Sequence, residues 1–439
     1  MIKKNIKMGA AALIAGAALV FPLTNAEAQE PELDAKAAIL VDAQTGKVVY
    51  GDSIDVILPP ASMTKIMTEY IIHEAIQNED ISWEDEVEIS DNVRNLSLET
   101  SLSNVPLRQD ETYTVRELYE ALAIYSANGA TIALAEHIAG TETEFVALMN
   151  EKAEELEMKD YEFVNSTGLN NQSLNGNHPE GTGADEENMM SARSTAILSY
   201  HLLKDFPEIL ETTSVSEKVF KEDTEDYIEM QNWNWMLPGG SNEYEGVDGL
   251  KTGFTDMAGN AFTGTAERDD MRYISVVMKT DTRESRFEET AKLLDYGFDS
   301  HASEELVTEG QAIDNYDSFP VTKGKEDSVS ASAGESLSLL IGDGEQDSIE
   351  TNVKLNEELV NEEGELEAPL KKGDKIGTIT VSSEDEEYLT ESLAEGNKVP
   401  LVLNEDVEKA DWFTLSMRGI GVFFGNVWDN AAGFVKGLF

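Results

Sequence analysis

Pro60-Ala61-Ser62-Met63-Thr64-Lys65-Ile66-Met67-Thr68 is the stretch of the sequence that most constrains the fold. After the proline, apolar side chains recur at approximately helical spacing as far as Ile76, which predicts a helix from Ser62 onward. Residues three apart share one face of a helix, so the hydroxyl of Ser62 is expected beside the amine of Lys65. A Ser-x-x-Lys pattern alone occurs by chance in many chains, and its meaning depends on the rest of the sequence.

Two further short motifs follow in order along the chain. Ser126-Ala127-Asn128 lies in a break between two predicted helices, and Lys251-Thr252-Gly253 ends a strand-like run. Each is weak by itself, because Lys-Thr-Gly fits any surface turn and Gly129 would suit a simple helix–helix turn. Together, in this order and on these elements, the three motifs form a specific signature of a serine enzyme.

Ser62 and Lys65 suit nucleophilic catalysis. A serine hydroxyl is a poor nucleophile unless a base takes its proton. Lys65 can act as that base only when its amine is neutral, and a second cation such as Lys251 would favour the neutral form. The alternative interpretation is that Lys65 is a solvated lysine on a helix face.

The other motif residues suit the handling of a peptide substrate. Ser126 can pass a proton to a departing amine, while Asn128 orients the substrate amide. Lys251 and Thr252 suit the binding of a carboxylate, and Gly253 lets a strand edge approach the substrate closely. A backbone oxyanion hole is also required, because the tetrahedral intermediate carries negative charge.

Around the motifs, predicted helices and strands alternate. The pattern predicts a hairpin at 37–50, a helix at 114–125 before the break and a second helix after it that ends near 139. Strands are predicted at 247–250, 261–266 and 273–278, and a further helix at 286–294. Thr114 and Glu117 form a capping box at the start of the second of these elements. The fold class is therefore expected to be α/β (α+β), with an antiparallel sheet flanked by helices, over residues 29–302.

Residues 303–408 are expected to form a small, acidic, β-rich domain. From residue 301 to 408 the chain has 28 acidic and 7 basic side chains and no Arg. Short strand-like runs nevertheless occur at 337–341, 375–381 and 399–403. These apolar runs argue against the alternative of a disordered acidic tail.

The two ends of the chain indicate export and attachment to a membrane. Three lysines precede an apolar run from Met8 to Val20, and Ala26-Glu27-Ala28 fits a signal-peptidase site, so residues 1–28 are predicted to be a signal peptide. A retained membrane helix is the alternative, but about 13 apolar residues are short of the roughly 20 needed to span a bilayer. The protein is thus expected outside the cytoplasm.

The tail, residues 409–439, is predicted to be an amphipathic helix on the outer face of the cytoplasmic membrane. Trp412 and Trp428 suit the headgroup region of a membrane. The apolar side chains of the tail fall on one helical stripe, which consists of Ile420, Phe423, Phe424, Val427, Ala431, Phe434, Val435 and Leu438. The alternative is a terminal helix that packs on the protein's own core.

Composition excludes several classes of function. The 439 residues include 86 acidic and 32 basic side chains, and a formal net charge of −54 does not fit binding to nucleic acid. The absence of Cys removes disulfides, thiolate zinc sites and cysteine nucleophiles. None of the five His lies in a His-Glu-x-x-His motif, which argues against a zinc carboxypeptidase. Neither a metal nor a cofactor is expected.

The sequence resembles the low-molecular-mass penicillin-binding proteins, the serine-type D-alanyl-D-alanine carboxypeptidases of bacterial cell walls. The resemblance extends over nearly the whole chain. It rests on the three motifs and on Phe163-Val164-Asn165-Ser166-Thr167-Gly168-Leu169, Asp248-Gly249-Leu250-Lys251-Thr252-Gly253-Phe254-Thr255 and Phe262-Thr263-Gly264-Thr265-Ala266. It implies a penicillin-binding/β-lactamase-like domain that removes the terminal D-Ala from peptidoglycan pentapeptide and is acylated by β-lactam antibiotics.

The resemblance also implies roles for individual residues. It makes Ser62 the acylated nucleophile and Lys65 its base, with Ser126 and Asn128 as the second motif. The amide of Phe254 would form the oxyanion hole with the amide of Ser62, and Arg286 would help to hold the terminal carboxylate. The implied substrate-binding residues are Lys251, Thr252, Gly253, Phe254 and Arg286. The alternative role for Arg286 is an ion pair at the helix start with Glu289 or Glu288.

Two departures from the family pattern are visible. The second motif reads Ser-Ala-Asn where Ser-Gly-Asn or Ser-Asp-Asn is more usual, a change that keeps both polar side chains. Ser194 stands where the family commonly has Asp, and no role is assigned to it.

Two other functions compete with the carboxypeptidase. A β-lactamase would need a base for fast deacylation, and no Glu-x-x-Leu-Asn segment occurs between the second and third motifs. A catalytically silent wall-binding or scaffolding protein of the same fold is disfavoured because all three motifs are intact.

The charge leads to a separate hypothesis about environment. An anionic surface slows the arrival of a carboxylate substrate, but at molar salt the Debye length falls to about 3 Å. We interpret the acidity as an adaptation to high salt. Activity or stability that fell as salt was added would contradict this interpretation.

Overall fold

The structure is a computed structural model that describes residues 30–222, 224, 227–361, 363–383 and 386–411. The predicted signal peptide and nearly all of the predicted membrane helix, residues 409–439, lie outside the described residues. Both therefore stay predictions. Among the described residues, no helix is both long enough and apolar enough to cross a membrane.

Nine α-helices lie within the described residues: α1 Lys65–Gln77, α2 Asp91–Ser97, α3 Val115–Tyr125, α4 Asn128–Ala139, α5 Glu142–Glu155, α6 Ala192–Asp205, α7 Leu210–Thr213, α8 Ser285–Ser300 and α9 Glu391–Ala394. Short 3-10 helices span Ala61–Thr64, Asn171–Leu174, Pro207–Ile209 and Glu345–Ser348.

The strands before α8 are β1 Ala37–Asp42, β2 Val48–Asp52, β3 Glu86–Val87, β4 Tyr113–Thr114, β5 Tyr161–Glu162, β6 Met189–Met190, β7 Glu217–Phe220, β8 Ile228–Gln231, β9 Val247–Thr255, β10 Gly259–Arg268 and β11 Met271–Thr280. The strands after α8 are β12 His301–Val307, β13 Ser318–Thr322, β14 Ser328–Ala333, β15 Leu337–Gly342, β16 Ile349–Leu355, β17 Leu366–Glu367, β18 Lys375–Ser383 and β19 Lys398–Leu403.

A five-stranded antiparallel sheet is the centre of the first domain. Its strand order is β2-β1-β11-β10-β9, so the first hairpin of the chain pairs with the last strands of the domain. Helices cover both faces: one buried cluster joins the sheet to α1, α5 and α6, and another joins it to α8. A third cluster fills the space among α2, α3 and α4. The predicted fold class, an antiparallel sheet flanked by helices, is confirmed.

Local signals placed most of these elements correctly. The side chain of Thr114 accepts from the amide of Glu117 while the Glu117 carboxylate accepts from the amide of Thr114, so the predicted capping box is present. Gly140 ends α4 with φ +84°, a conformation that glycine adopts at no steric cost. One detail differs: β9 continues to Thr255, so the Lys251-Thr252-Gly253 motif lies inside a strand rather than at its end. Pairing with β10 extends β9 past the motif, because Phe254 and Thr255 find partners in Asn260 and Gly259.

The second, β-rich domain follows α8 directly. Its six-stranded sheet has the order β16-β18-β19-β14-β13-β17, and β12 pairs with β15 beside it. Alternating buried side chains of these strands form a separate core, as expected for strands with one face toward the interior. The expected β-rich domain is confirmed. The alternative of a disordered acidic tail is excluded for those residues of 303–408 that the structure describes.

Lys47, in the turn between β1 and β2, joins the two domains. Its side chain is 6% exposed, and its Nζ lies 2.8 Å from Glu345 Oε2 and 3.2 Å from Glu386 Oε1. The backbone continues the contact, since the amide of Val48 donates to the carbonyl of Glu387 at 2.8 Å. Because a buried ammonium needs paired carboxylates, this cluster holds the β-rich domain against the first hairpin.

Two glycines allow the backbone to pack tightly around Ser62. A Cβ at Gly168, whose φ is +78°, would lie 1.8 Å from the carbonyl oxygen of Ala61. A Cβ at Gly253 on β9 would lie 2.5 Å from the carbonyl oxygen of Pro60. Both distances are far below any van der Waals contact, so a side chain at either position would push the Ser62 turn out of place.

Replacing Gly168 by Ala is expected to destabilise the protein strongly. The new methyl group would meet backbone rather than a movable side chain, and the positive φ adds its own cost, so we expect a loss of about 3 kcal/mol or more. Gly176→Ala is the matched control, because Gly176 also has positive φ (+82°) but nothing within 4 Å of an added Cβ. The control should lose only about 1–2 kcal/mol. Equal losses in urea unfolding of the two variants would contradict the packing argument.

Candidate active site

The short 3-10 helix Ala61–Thr64 is mostly buried but leaves Ser62 partly exposed to solvent. Ala61, Met63 and Thr64 are buried, and Ser62 alone in the turn is partly exposed. Ala61 has φ +50°, a region that costs a non-glycine residue free energy and that clusters at functional sites. The turn then runs into α1, so Ser62 and Lys65 lie on one face as expected.

Lys65 is fully buried and its amine has three polar neighbours. Nζ lies 2.7 Å from the carbonyl oxygen of Thr167, 2.8 Å from Asn128 Oδ1 and 3.2 Å from Ser62 Oγ. The two shorter contacts are to oxygens that can only accept, whereas the hydroxyl of Ser62 can also donate. A neutral amine has two hydrogens and one lone pair. It can therefore donate to Thr167 and Asn128 and accept the Ser62 proton.

The electrostatic surroundings favour that neutral form. Burial lowers the pKa of Lys65 well below its usual range, and the positive charge of Lys251 lowers it further. The carboxylates of Glu69 and Glu142 act in the opposite direction. Desolvation disfavours the charged form of a lysine, so the surroundings of Lys65 favour the neutral form that a general base needs. A solvated lysine on a helix face is excluded, since 0% of Lys65 is exposed.

The second motif lies opposite, between α3 and α4. Ser126 has φ +60° and ends α3 with its amide bonded to the carbonyl of Ala121. Asn128 begins α4, and its Nδ2 donates to the carbonyl of Ser103 at 3.0 Å while its Oδ1 accepts from Lys65. The Asn128 amide thus fixes the position of the Lys65 amine. Its predicted contact with a substrate amide stays a prediction.

The third motif forms the opposite wall of the cleft along β9. Lys251 and Thr252 are 3% and 7% exposed, whereas Phe254 is 49% exposed. Burial, together with the nearby charge of Arg286, lowers the pKa of Lys251 to about 8, although Glu69 opposes the shift. Because Gly253 packs directly on the Ser62 turn, the amide of Phe254 lies next to that turn, where an oxyanion hole is predicted.

Arg286, near the start of α8, lies beneath β9. It is 3% exposed, and its Nη1 donates to the carbonyl oxygens of Gly253 at 3.2 Å and Ala261 at 3.4 Å. The predicted alternative, an ion pair with Glu288 or Glu289, does not occur among the described ion pairs, where Glu289 pairs with Lys292. Arg286 therefore places a positive charge under the third motif, and its predicted role toward a carboxylate stays a prediction.

Sequence reasoning missed the backbone group that completes the Lys65 environment. The Asn165 side chain organises a buried turn: its Oδ1 accepts from the amides of Thr167 and Gly168 at 3.0 and 2.8 Å. This turn points the Thr167 carbonyl at Lys65. The Phe163–Leu169 stretch contributes to the family resemblance, but a backbone carbonyl has no side-chain signal, so the role of the Thr167 carbonyl cannot be predicted from the sequence.

Glu69 was also missed. It is 2% exposed, and its carboxylate lies 3.5 Å from the hydroxyl of Tyr119. Burial raises the pKa of Glu69 to about 7, against the lowering effect of Lys251, of Tyr119 and of Lys65. Its position, four residues after Lys65 on α1, was the available signal, since such residues are neighbours on a helix. Glu69 is a buried acid that opposes the lowering of the pKa of both Lys65 and Lys251.

A serine beside a buried lysine, facing a Ser-x-Asn turn and a Lys-Thr-Gly strand, defines the class of penicillin-interacting serine enzymes. The chain belongs to the D-alanyl-D-alanine carboxypeptidase family, whose model matches residues 24–282. A model described as the C-terminal domain of penicillin-binding protein 5 matches residues 303–409. The protein is thus a serine-type D-alanyl-D-alanine carboxypeptidase, as the sequence predicted.

Individual relatives agree with this assignment. The chain is 33% identical over 389 residues to D-alanyl-D-alanine carboxypeptidase DacF of Bacillus subtilis, covering 88% of this chain and 90% of that protein. A crystal structure of a peptidoglycan synthesis regulatory factor from Streptococcus pneumoniae is similar with a TM-score of 0.75 and 36% identity, over 86% of this chain and 100% of that chain. Penicillin-binding protein D2 from Listeria monocytogenes, in its ampicillin-bound form, is similar with a TM-score of 0.51 and 32% identity, over 62% of this chain and 100% of that chain.

The charge of Lys251 is expected to set the alkaline limit of activity. With its pKa lowered to about 8, Lys251 is protonated below that pH and loses its charge above it. Because the pH profile of kcat/KM reports the free enzyme, kcat/KM for a carboxylate-bearing peptide should fall above about pH 8. Lys251→Arg should move this limb upward, since an arginine stays charged.

Lys279→Arg, at an exposed position on β11, is the control and should keep the unmodified profile. An alkaline limb that is identical in Lys251→Arg and the unmodified protein would show that another group is responsible.

Proposed function

We propose that the protein removes the terminal D-Ala from peptidoglycan pentapeptide through an acyl-enzyme on Ser62. The observation that supports this most is the environment of Lys65, whose buried amine lies 3.2 Å from Ser62 Oγ and has two acceptor-only neighbours. Because the two acceptors use both hydrogens of a neutral amine, its lone pair is left to accept the proton of the Ser62 hydroxyl.

In the proposed acylation step, each motif residue has a separate role. Lys65 takes the proton of Ser62 as Oγ attacks the carbonyl carbon of the penultimate D-Ala, which forms a C–O bond and a tetrahedral oxyanion. The amides of Ser62 and Phe254 donate to that oxyanion. The peptide C–N bond breaks, and the proton passes through Ser126 to the departing amine of the terminal D-Ala.

Deacylation uses the same groups in reverse order. A water molecule attacks the ester carbonyl, Lys65 takes its proton, and Ser62 recovers its own proton as the C–O bond breaks. Lys251 and Thr252, with Arg286 beneath them, supply the positive and hydrogen-bonding wall that binds the terminal carboxylate of the substrate. Neither a metal nor a cofactor is needed for any of these steps.

The same cleft is proposed to react with β-lactam antibiotics. A β-lactam presents a reactive amide carbonyl and a carboxylate, the two groups that the Ser62 side and the Lys251 side would recognise. The similar Listeria monocytogenes protein has been solved with ampicillin bound, which supports the proposal. The product would be a penicilloyl ester on Ser62.

Ser62→Ala is expected to abolish both labelling by a fluorescent penicillin and release of D-Ala from diacetyl-Lys-D-Ala-D-Ala. The loss should be complete within detection, because the ester can form only on the Ser62 oxygen. Ser303→Ala, at an exposed serine on β12, should retain both activities.

Two outcomes would contradict the proposal. Labelling that persists in Ser62→Ala would place the nucleophile elsewhere. Turnover of the penicilloyl-enzyme in well under a second would instead favour a β-lactamase.

We further propose that the protein is exported and peripheral on the outer face of the cytoplasmic membrane. The proposed signal peptide is residues 1–28, followed by the catalytic domain over 29–302, the acidic β-rich domain over 303–408 and the anchor over 409–439. The support for the anchor is the single apolar stripe in the sequence of the tail.

Truncation after Glu408 is expected to remove binding to anionic vesicles, measured by co-sedimentation. Within the full chain, Phe424→Ser should weaken binding because Phe424 lies on the apolar stripe, whereas Asn426→Ser, off the stripe, should not. A truncated protein that binds vesicles as well as the full chain would refute the anchor.

A further inference from the structure

Helix α1 carries three titratable side chains in one buried row. Lys65, Glu69 and His73 follow one another at four-residue spacing, and all three are buried. Residues four apart lie on the same face of a helix. The row therefore runs from the amine beside Ser62 into the interior of the domain, and the proposed chemistry gives no role to its second member, Glu69.

Lys251 on strand β9 is the cation that acts most strongly on the Glu69 carboxylate, and Glu69 is the charged group that acts most strongly on the Lys251 amine. The Nζ of Lys251 is buried, and among the described hydrogen bonds it has one, a long contact of 3.4 Å with the carbonyl oxygen of Thr252. A buried ammonium normally needs a carboxylate to compensate its charge. Glu69 is the group that meets this need for Lys251.

On its other side, the Glu69 carboxylate has neighbours without positive charge. It lies 3.5 Å from the hydroxyl of Tyr119 on α3, and burial raises the pKa of Tyr119 well above its usual range, so this hydroxyl stays protonated. The ring of His73 lies 5.0 Å from that of Tyr119, and burial lowers the pKa of His73 although Glu208 at 3.3 Å opposes the shift. A neutral imidazole and a neutral phenol therefore close the row on that side.

Two further charged groups adjoin the lysines. The charge of Arg286, beneath β9, lowers the pKa of Lys251. Glu142, at the start of α5, raises the pKa of Lys65, but less than Glu69 does. The Oε1 of Glu142 already accepts from the amide and the hydroxyl of Ser166 at 3.0 and 2.6 Å. Neither Arg286 nor Glu142 thus replaces Glu69 as the acid that Lys65 and Lys251 share.

One carboxylate can balance the charge of one ammonium. If Lys65 and Lys251 were both charged, one buried ammonium would be left without compensation, which is costly. A charge on Lys251 itself disfavours a charge on Lys65. Among the described ion pairs, none includes Glu69, so its carboxylate acts on both lysines through space. A carboxylate bonded to Lys65 would instead hold a proton on the amine and remove the lone pair that faces Ser62.

We propose that Glu69 is a positioning residue that distributes charge between the two lysines of the site: its carboxylate keeps Lys251 positively charged, and Lys251 in turn keeps Lys65 neutral. This inference rests on the proposed acylation of Ser62, in which Lys65 is the base and Lys251 is needed in its charged form. Glu69 contacts no substrate and acts only through the lysines.

Glu69→Gln tests the proposal, because it removes the negative charge but keeps the size of the side chain and an acceptor for Tyr119. With Glu69 in place, the pKa of Lys251 is about 8. Without the carboxylate, Lys251 should lose its proton at lower pH, so the alkaline limb of kcat/KM for release of D-Ala from diacetyl-Lys-D-Ala-D-Ala should move down by about one pH unit. Above that limb the variant should be about tenfold less active than the unmodified protein.

The titration of Lys251 provides a readout that does not depend on activity. NMR of protein labelled with 13C at lysine Cε should show the Lys251 resonance titrating about one pH unit lower in Glu69→Gln, with the resonance assigned by its absence from Lys251→Arg. Glu69→Asp, which keeps the charge, should titrate near the unmodified protein. A merely structural role for Glu69 would not produce this difference.

Tyr119→Phe is a second variant, and it keeps the shape of the ring. It removes the hydrogen bond that favours the charged form of Glu69. The alkaline limb should therefore move in the same direction as in Glu69→Gln, but by less. This variant tests the proposal even if Glu69→Gln does not fold.

Two controls separate the effect on Lys251 from other effects. Adding Glu69→Gln to Lys251→Arg should leave the alkaline limb where Lys251→Arg alone places it, because an arginine stays charged without help. Glu74→Gln makes the same change on the same helix, but the Glu74 carboxylate pairs with Lys152 at 2.7 Å. It should keep the unmodified pH profile.

Three outcomes would overturn the role of Glu69. They are an unchanged Lys251 titration in Glu69→Gln, a loss of activity that is equal at every pH, and a shift of the limb that persists in the Lys251→Arg background. If the unmodified protein released no D-Ala and Ser62 took no penicillin label, the proposed function would fail instead. The NMR titration of Lys251 would still decide whether Glu69 keeps that lysine charged.

Discussion

The burial of the Lys65 amine is the constraint on which the rest of the site depends. Nζ has no contact with water, and its polar neighbours are Ser62 Oγ, Asn128 Oδ1 and the carbonyl of Thr167. A charged ammonium in this position would have lost its hydration without gaining a paired carboxylate, which is costly. The neutral amine fits, because it needs only two acceptors and one donor. The desolvation that favours the uncharged amine therefore supports the role of base that we propose for Lys65.

Much of the surrounding fold serves to hold these groups at hydrogen-bonding distance. The Ser62 turn packs against Gly168 and against Gly253. Because neither glycine has a side chain, the turn that contains Asn165 and strand β9 both lie directly against the Ser62 turn. Strand β9 is the edge strand of the central sheet and pairs with β10, and Arg286 of α8 donates to its Gly253 carbonyl. The net result is a cationic cleft in a chain of net charge −54.

The sequence predicted the elements that local signals define and the side chains that short motifs carry. The capping box at Thr114, the first hairpin and the three central strands were all recoverable from local pattern, as were Ser62 and Lys65. The extension of β9 past Gly253 was not, because it depends on pairing with β10. The Thr167 carbonyl has no sequence signal, and Thr167 is about a hundred residues from Lys65 along the chain, so only the folded chain shows that they meet.

The protonation state of Lys65 is the central claim, and it can be measured directly. Lysine side chains labelled with 13C at Cε report their own titration by NMR, and the Lys65 resonance can be assigned by its absence from Lys65→Arg. The expected result is a Lys65 amine that is neutral at pH 7, with a pKa well below those of the exposed lysines in the same spectrum. A Lys65 resonance that stays in the charged form up to pH 10 would contradict the account, because Ser62 would then lack its base.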